Sequence, residues 1–155
     1  MTETNPEATP ETARLTADVV LFGEHDEHLW VLMIRRGWEP FAGWWALPGG
    51  HVDVGEDTDV AARRELAEEI GLHLPPRALS LVGAYADPDR DPRGRYVTFA
   101  YTALADGLPT PNPGDDATAA GWLPVDHLLA EGQVAFDHKR IIRNAYVRHL
   151  ADRRA

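Results

Sequence analysis

Glu65, Glu68 and Glu69 stand at i, i+3 and i+4 within GGHVDVGEDTDVAARRELAEEIGL, residues 49–72. On a helix turning about 100° per residue they share an arc of about 100°, and Ala62, Leu66 and Ile70 fill the adjoining arc. One face can pack on a core while the other presents three carboxylates. Arg64 lies beside the acids, four residues before Glu68, close enough to pair with one and hold it in place. Like charges at this spacing repel by roughly a few tenths of a kcal/mol per exposed pair. A divalent cation removes that cost, because Mg²⁺ takes carboxylates, waters and substrate phosphates as oxygen ligands. Gly49, Gly50 and Gly55 precede the acids and let backbone groups approach a ligand closely. For a generic acidic run, a solvated face is the commoner reading; a metal centre is the sharper one.

The elements that must hold this stretch are legible on either side. Residues 15–22 are apolar and β-branched and predict a strand, 23–28 a hairpin loop, and 30–34 a second strand ending in Arg35 and Arg36. Adjacent arginines at a strand end commonly face solvent, yet either can fork onto phosphate oxygens. His25 and His28 read as a solvated turn ahead of a metal site. Residues 37–48, GWEPFAGWWALP, read as a loop and then a short strand, with Trp45 toward the core and Trp38 and Phe41 as candidates for an aromatic wall. Gly71 can end the acidic helix in the left-handed region, and Pro75-Pro76 prevents its continuation. Strands at 79–86 and 96–104 flank DPDRDPRGR, a proline-stiffened loop carrying Arg90, Arg93 and Arg95. Asp115 and Asp116 lie in a loop before a strand at 120–123. Pro124 can open a short helix at its first position. Asp137 is expected to cap a final helix, with Ile141, Ile142, Ala145, Tyr146, His149 and Leu150 at helical spacing.

Composition narrows the function classes. A chain of 155 residues with 44% hydrophobic content is expected to form one domain, residues 15–155, behind a flexible polar tail at 1–14. A net charge of −10 and a pI near 5.0 argue against wrapping a nucleic-acid polymer. A small anionic substrate must then be drawn in by local arginines and metal ions. The absence of cysteine excludes thiolate ligands, thiol nucleophiles and disulfides. MTETNPEATPETA has neither a basic nor an apolar signal region, and no apolar run nears the roughly 20 residues that cross a bilayer. A cytoplasmic protein without membrane partners is the expectation.

Gly50, Glu56, Arg64, Glu65, Leu66, Glu68, Glu69, Gly71 and Leu72 satisfy every specified position of G-x5-E-x7-R-E-U-x-E-E-x-G-U, with U a bulky aliphatic. The stretch resembles the Nudix box, which covers only 23 of the 155 residues but is long and specific. The resemblance implies an α/β Nudix fold, an α/β/α sandwich with a mixed central β-sheet. It also implies Mg²⁺- or Mn²⁺-dependent hydrolysis of a nucleoside diphosphate linked to another moiety. Glu68 and Glu69 would be the principal metal ligands, with the Gly50 carbonyl and Glu65 assisting. Arg64 would orient the acids, and Glu56 would support the loop or a further metal. Water would be the nucleophile, its proton passing to a carboxylate among Glu65, Glu69, Asp115 or Asp116. ADP-ribose hydrolases commonly carry Glu in that last loop, so Asp116 has a shorter reach, and a capping or turn role is its alternative.

Three further features resemble the ADP-ribose pyrophosphatase subgroup. Pro88 lies sixteen residues beyond Leu72, the loop reads DPDRDPRG, and AFDH occupies 135–138. By this resemblance Arg35, Arg36, Arg90 and Arg93 are candidate substrate contacts. His138 either borders the substrate or serves in capping and packing. The implied reaction takes ADP-ribose to AMP and ribose 5-phosphate. A nucleotide-pool sanitising hydrolase acting on an oxidised nucleoside triphosphate is the alternative. A non-enzymatic ADP-ribose sensor ranks lower, because such regulators typically have a degraded box and an appended winged DNA-binding domain. No SQPWPFP-like run points to NADH. The partner is a small nucleotide, and the resemblance leaves a homodimer open.

Overall fold

The computed structural model describes residues 8–114 and 117–155, so Asp115 and the expected catalytic Asp116 lie outside the described residues. In chain order the elements are β1 (Arg14–His25), β2 (His28–Arg36), β3 (Trp45–Ala46), β4 (Gly49–His51), α1 (Thr58–Ile70), β5 (Ser80–Tyr85), β6 (Tyr96–Leu104), β7 (Ala117–Pro124), α2 (Val125–Glu131) and α3 (His138–Asp152). One mixed sheet runs β3-β2-β1-β6-β5, with β4 added on β1 and β7 on β2. β1 is parallel to β6 and antiparallel to β2 and β4.

Alternation along the central strands builds two cores. Val20 and Phe22 of β1 with Val31 and Met33 of β2 pack on one side against Leu128 of α2 and Ile141, Ile142 and Ala145 of α3. Ala17, Val19 and Leu21 with Leu32 and Ile34 pack on the other against Ala61, Ala62, Leu66 and Ile70 of α1. The α/β/α sandwich expected of a Nudix fold is therefore present. Among the described residues no helix is long and apolar enough to cross a membrane.

Local chemistry sets the ends. Asp57 caps α1 by accepting the Asp59 N–H, and Gly71 closes it at φ 68°. The β1–β2 hairpin is tighter than the expected 23–28 loop. Asp26 and Glu27 both take positive φ, 49° and 63°, so two residues make the reversal and the strands extend to His25 and His28. Pro124 stands at the N-cap of α2, one position ahead of the first helical position it was expected to hold. Asp137 occupies the N-cap of α3 but makes no side-chain capping bond; its carboxylate is drawn to Arg90 instead.

One edge of β1 is shared. Its first half pairs with β4 at Thr16–Asp18 and its last with β2 at Phe22–His25. Between them the Val19 N–H reaches the Pro48 carbonyl at 2.9 Å. Ile34 and Arg36 of β2 and Gly49, Gly50 and His51 of β4 line a cleft between them.

Candidate active site

Arg64 is the hub of the box. Its Nε and Nη2 donate to the two carboxylate oxygens of Glu56 at 2.8 and 2.9 Å, and Nη1 donates to Glu65 at 2.9 Å and Glu68 at 3.2 Å. Nη2 also reaches the His51 carbonyl at 2.9 Å, tying the end of β4 to the helix. The guanidinium and the Asp53 N–H hold the Glu56 carboxyl down at about 2, and the same acids raise Arg64 above its ordinary value. Glu65 goes the other way. Burial pushes its pKa up, more than Arg64 pulls it down. Among the described residues no three His, Asp or Glu side chains form a metal-holding cluster, because three of the box acids are turned onto this arginine. Glu68 is the loosest of them, 60% exposed and held by one contact.

Glu69 lines a cleft of about 420 Å³ together with Gly49 and Gly50. A Cβ on Gly50 would lie 2.4 Å from the Glu65 carboxyl carbon; on Gly49 it would lie 2.3 Å from the Ala17 carbonyl oxygen. The first collision is with the end of a side chain, the second with backbone. Gly49→Ala is therefore expected to cost about 3 kcal/mol of stability and Gly50→Ala about 1 kcal/mol. Gly50→Ala should still damage activity more per unit of stability lost, by expelling Glu65 from its place. Urea unfolding set beside turnover checks the order, and equal stability losses would refute it.

Cations line the same cleft. The Arg36 guanidinium lies 4.8 Å over the Phe136 ring and donates from Nε to the Pro40 carbonyl at 2.8 Å. Burial lowers its pKa, and neighbouring Arg93 adds to that. Arg93 grips Asp91 through Nε and Nη2 at 3.0 and 2.7 Å and stacks on Phe136 and Tyr96. Both arginines line the cleft. Arg35 is exposed and stacks on Trp45 outside the cleft lining. Arg90 borders the cleft, yet its side chain is 4% exposed and makes a two-bond pair with Asp137 at 2.9 and 2.7 Å. Trp38, 68% exposed, stands at the rim, whereas Phe41 packs edge-on against Trp44 and Phe136.

A buried polar group escaped the sequence reading. Asp18 accepts from the Thr98 hydroxyl at 2.5 Å and lies 3.7 Å from His138 Nε2. His138 Nδ1 accepts the Leu47 N–H at 3.0 Å, so α3 holds the backbone just before the two glycines. Nδ1 is the acceptor, which leaves Nε2 carrying the proton, and burial lowers the pKa of this histidine. The signal was a lone acid inside the apolar run ADVVLF.

Residues 12–145 match the NUDIX domain family. The chain belongs to that family. Among Nudix relatives, it is 41% identical over 114 residues to the ADP-ribose pyrophosphatase of Methanocaldococcus jannaschii, covering 74% of this chain and 64% of that protein. It is 32% identical over 136 residues to the ADPR responsive transcriptional repressor NtrR of Acinetobacter baylyi, covering 86% of this chain and 53% of the repressor. The Nudix chain described here thus spans less than two thirds of either relative's length. Among solved structures, the NUDIX domain of Shewanella oneidensis NrtR complexed with ADP ribose superposes with a TM-score of 0.81 at 34% identity, covering 94% of each chain.

Proposed function

We propose that this chain is a divalent-metal-dependent Nudix hydrolase that splits ADP-ribose into AMP and ribose 5-phosphate. The observation that carries the reading is the cleft itself. Glu69, the Gly50 backbone, Arg36 and Arg93 line one hollow large enough for a small nucleotide. Its oxygen donors suit a hard cation: Glu69, the Gly50 carbonyl, and Glu68 and Glu65 once turned from Arg64, which keeps Glu56 and the His51 carbonyl. Bound there, Mg²⁺ or Mn²⁺ would supply Lewis acidity toward a phosphate oxygen and acidify a coordinated water.

The chain's own residues do the rest. Arg36 and Arg93 hold the diphosphate against the acidic wall and offset charge gathering on the leaving phosphate. A carboxylate, Glu65 or Glu69, takes the proton as water's oxygen bonds to phosphorus and the bridging P–O bond breaks. Burial already biases Glu65 toward accepting one.

A second reading, a non-enzymatic ADP-ribose sensor, is favoured by the resemblance to the ADPR responsive transcriptional repressor NtrR and to the NrtR domain complexed with ADP ribose. The two differ in product. Phosphate released by alkaline phosphatase from the products of ADP-ribose and NADH, with and without Mg²⁺, is the decisive assay; GTP and 8-oxo-dGTP, whose own terminal phosphates alkaline phosphatase would remove, are followed alongside with inorganic pyrophosphatase instead. The hydrolase reading expects Mg²⁺-dependent release that is greatest with ADP-ribose. Tight ADP-ribose binding without release would favour the sensor, and preference for 8-oxo-dGTP would move the substrate to the triphosphates.

A further inference from the structure

The chain carries 25 acidic residues against 15 lysines and arginines. A recess without acids runs against that composition. One such recess, of about 520 Å³, is lined by Arg14, Arg93, Arg95, His51 and Tyr96 among others, with no Asp or Glu in its lining. His51, Arg93 and Tyr96 line the main cleft as well, so the two hollows share a wall.

Tyr96 organises the recess. It is 5% exposed, and its ring has the Arg14 guanidinium at 5.9 Å, the Arg93 guanidinium at 4.9 Å and the His51 ring at 5.9 Å. The ring attracts both cations without neutralising either. Asp91 occupies Nε and Nη2 of Arg93, which leaves Nη1 for another acceptor. Arg95 has its Nη1 on the Ala86 carbonyl and its Nε 3.3 Å from Glu11, whose side chain is 67% exposed. Arg14 donates to the Tyr96 hydroxyl at 3.4 Å and meets no carboxylate among the described residues. Two guanidinium groups drawn to one ring repel each other, and a phosphate group relieves the repulsion by accepting several charge-assisted bonds at once.

We propose that this recess is an anion subsite joined to the cleft, and that it takes a phosphomonoester carried on the substrate away from the diphosphate. The subsite rests on the hydrolase reading for its effect on turnover, though not for binding.

Kinetics with ADP-ribose, ADP-ribose 2′-phosphate and ADP-ribose phosphorylated on the terminal ribose test the assignment. One of the two phosphorylated compounds is expected to show a KM about tenfold below that of ADP-ribose, the worth of one charge-assisted contact. The Arg14→Gln/Arg95→Gln double variant should erase the difference and leave ADP-ribose kinetics unchanged; Glu11→Gln, which removes a competing carboxylate, should widen it. Equal KM values for all three compounds in the unaltered protein overturn the proposal, as does an equal rise for all three in the double variant. Titration with inorganic phosphate, followed by the amide NMR shifts of Gly94 and Arg95, separates the sources. Shifts that the double variant loses support the subsite even if no compound is hydrolysed, in which case only the hydrolase reading fails. Phosphate binding combined with equal KM values would instead make the recess a site for free phosphate and refute the substrate assignment.

Discussion

Glu69→Gln is expected to lower ADP-ribose turnover on the order of a thousandfold, within the range that removal of a proton-accepting or ion-holding carboxylate produces. Glutamine keeps the shape of the side chain and removes its charge. Helix α1 is closed by the Asp57 cap and Gly71 and seated through Ala61, Ala62, Leu66 and Ile70. The Glu69 backbone is secured separately, its carbonyl accepting the Gly114 N–H at 2.6 Å. The unfolding midpoint should therefore stay near that of the unaltered protein while kcat collapses. Among the box acids, Glu69 is the one that lines the cleft, whereas Glu56, Glu65 and Glu68 lie on Arg64. Steady-state kcat at saturating Mg²⁺, read beside a thermal melt, decides the matter. A variant that turns over at the unaltered rate removes Glu69 from the chemistry.

Legibility divided along the range of the interactions. Helix α1, its apolar arc and its Gly71 terminus depend on neighbours three or four residues apart, and the sequence pattern carried all of them. The strands read well for the same reason: Val19, Leu21 and Phe22 sit in a β-branched, apolar run whatever they pair with. The Arg64–Glu68 contact was visible as an i, i+4 pair. Arg64 also gathers Glu56 and the His51 carbonyl, eight and thirteen residues away, through the fold of the glycine loop. Asp18 and His138 are 120 positions apart and meet only because β1 passes beneath the start of α3. No local pattern announces such a pair. Asp137 shows the same limit in reverse. Its position suggested a helix cap, and the cap was lost to a guanidinium 47 residues upstream.

Arg90→Ala is expected to destabilise the fold by about 3 kcal/mol or more, because it leaves the Asp137 carboxylate without its partner in a largely buried position. In a chain of this size that corresponds to a fall of roughly 6–12 °C in the unfolding midpoint. Arg90 entered as a candidate substrate contact on the strength of its loop. Its side chain is 4% exposed and that of Asp137 14%, and two bonds of 2.9 and 2.7 Å join them. The pair fastens the 87–95 loop to the first turn of α3, and Arg140 adds an exposed contact to Asp87 at 2.8 Å. The two roles leave different signatures. A structural staple predicts that Arg90→Met/Asp137→Leu, which removes both charges and keeps the bulk, regains most of the stability that Arg90→Ala loses. It also predicts that Arg90→Ala weakens use of ADP-ribose and of nucleoside triphosphates alike. Arg93, 42% exposed on the cleft wall, should behave differently: Arg93→Ala is expected to raise KM for ADP-ribose more than for the triphosphates, with a smaller loss of stability. If Arg90→Ala melts with the unaltered protein and loses ADP-ribose selectively, the guanidinium must leave Asp137 for the substrate, and the staple is refuted.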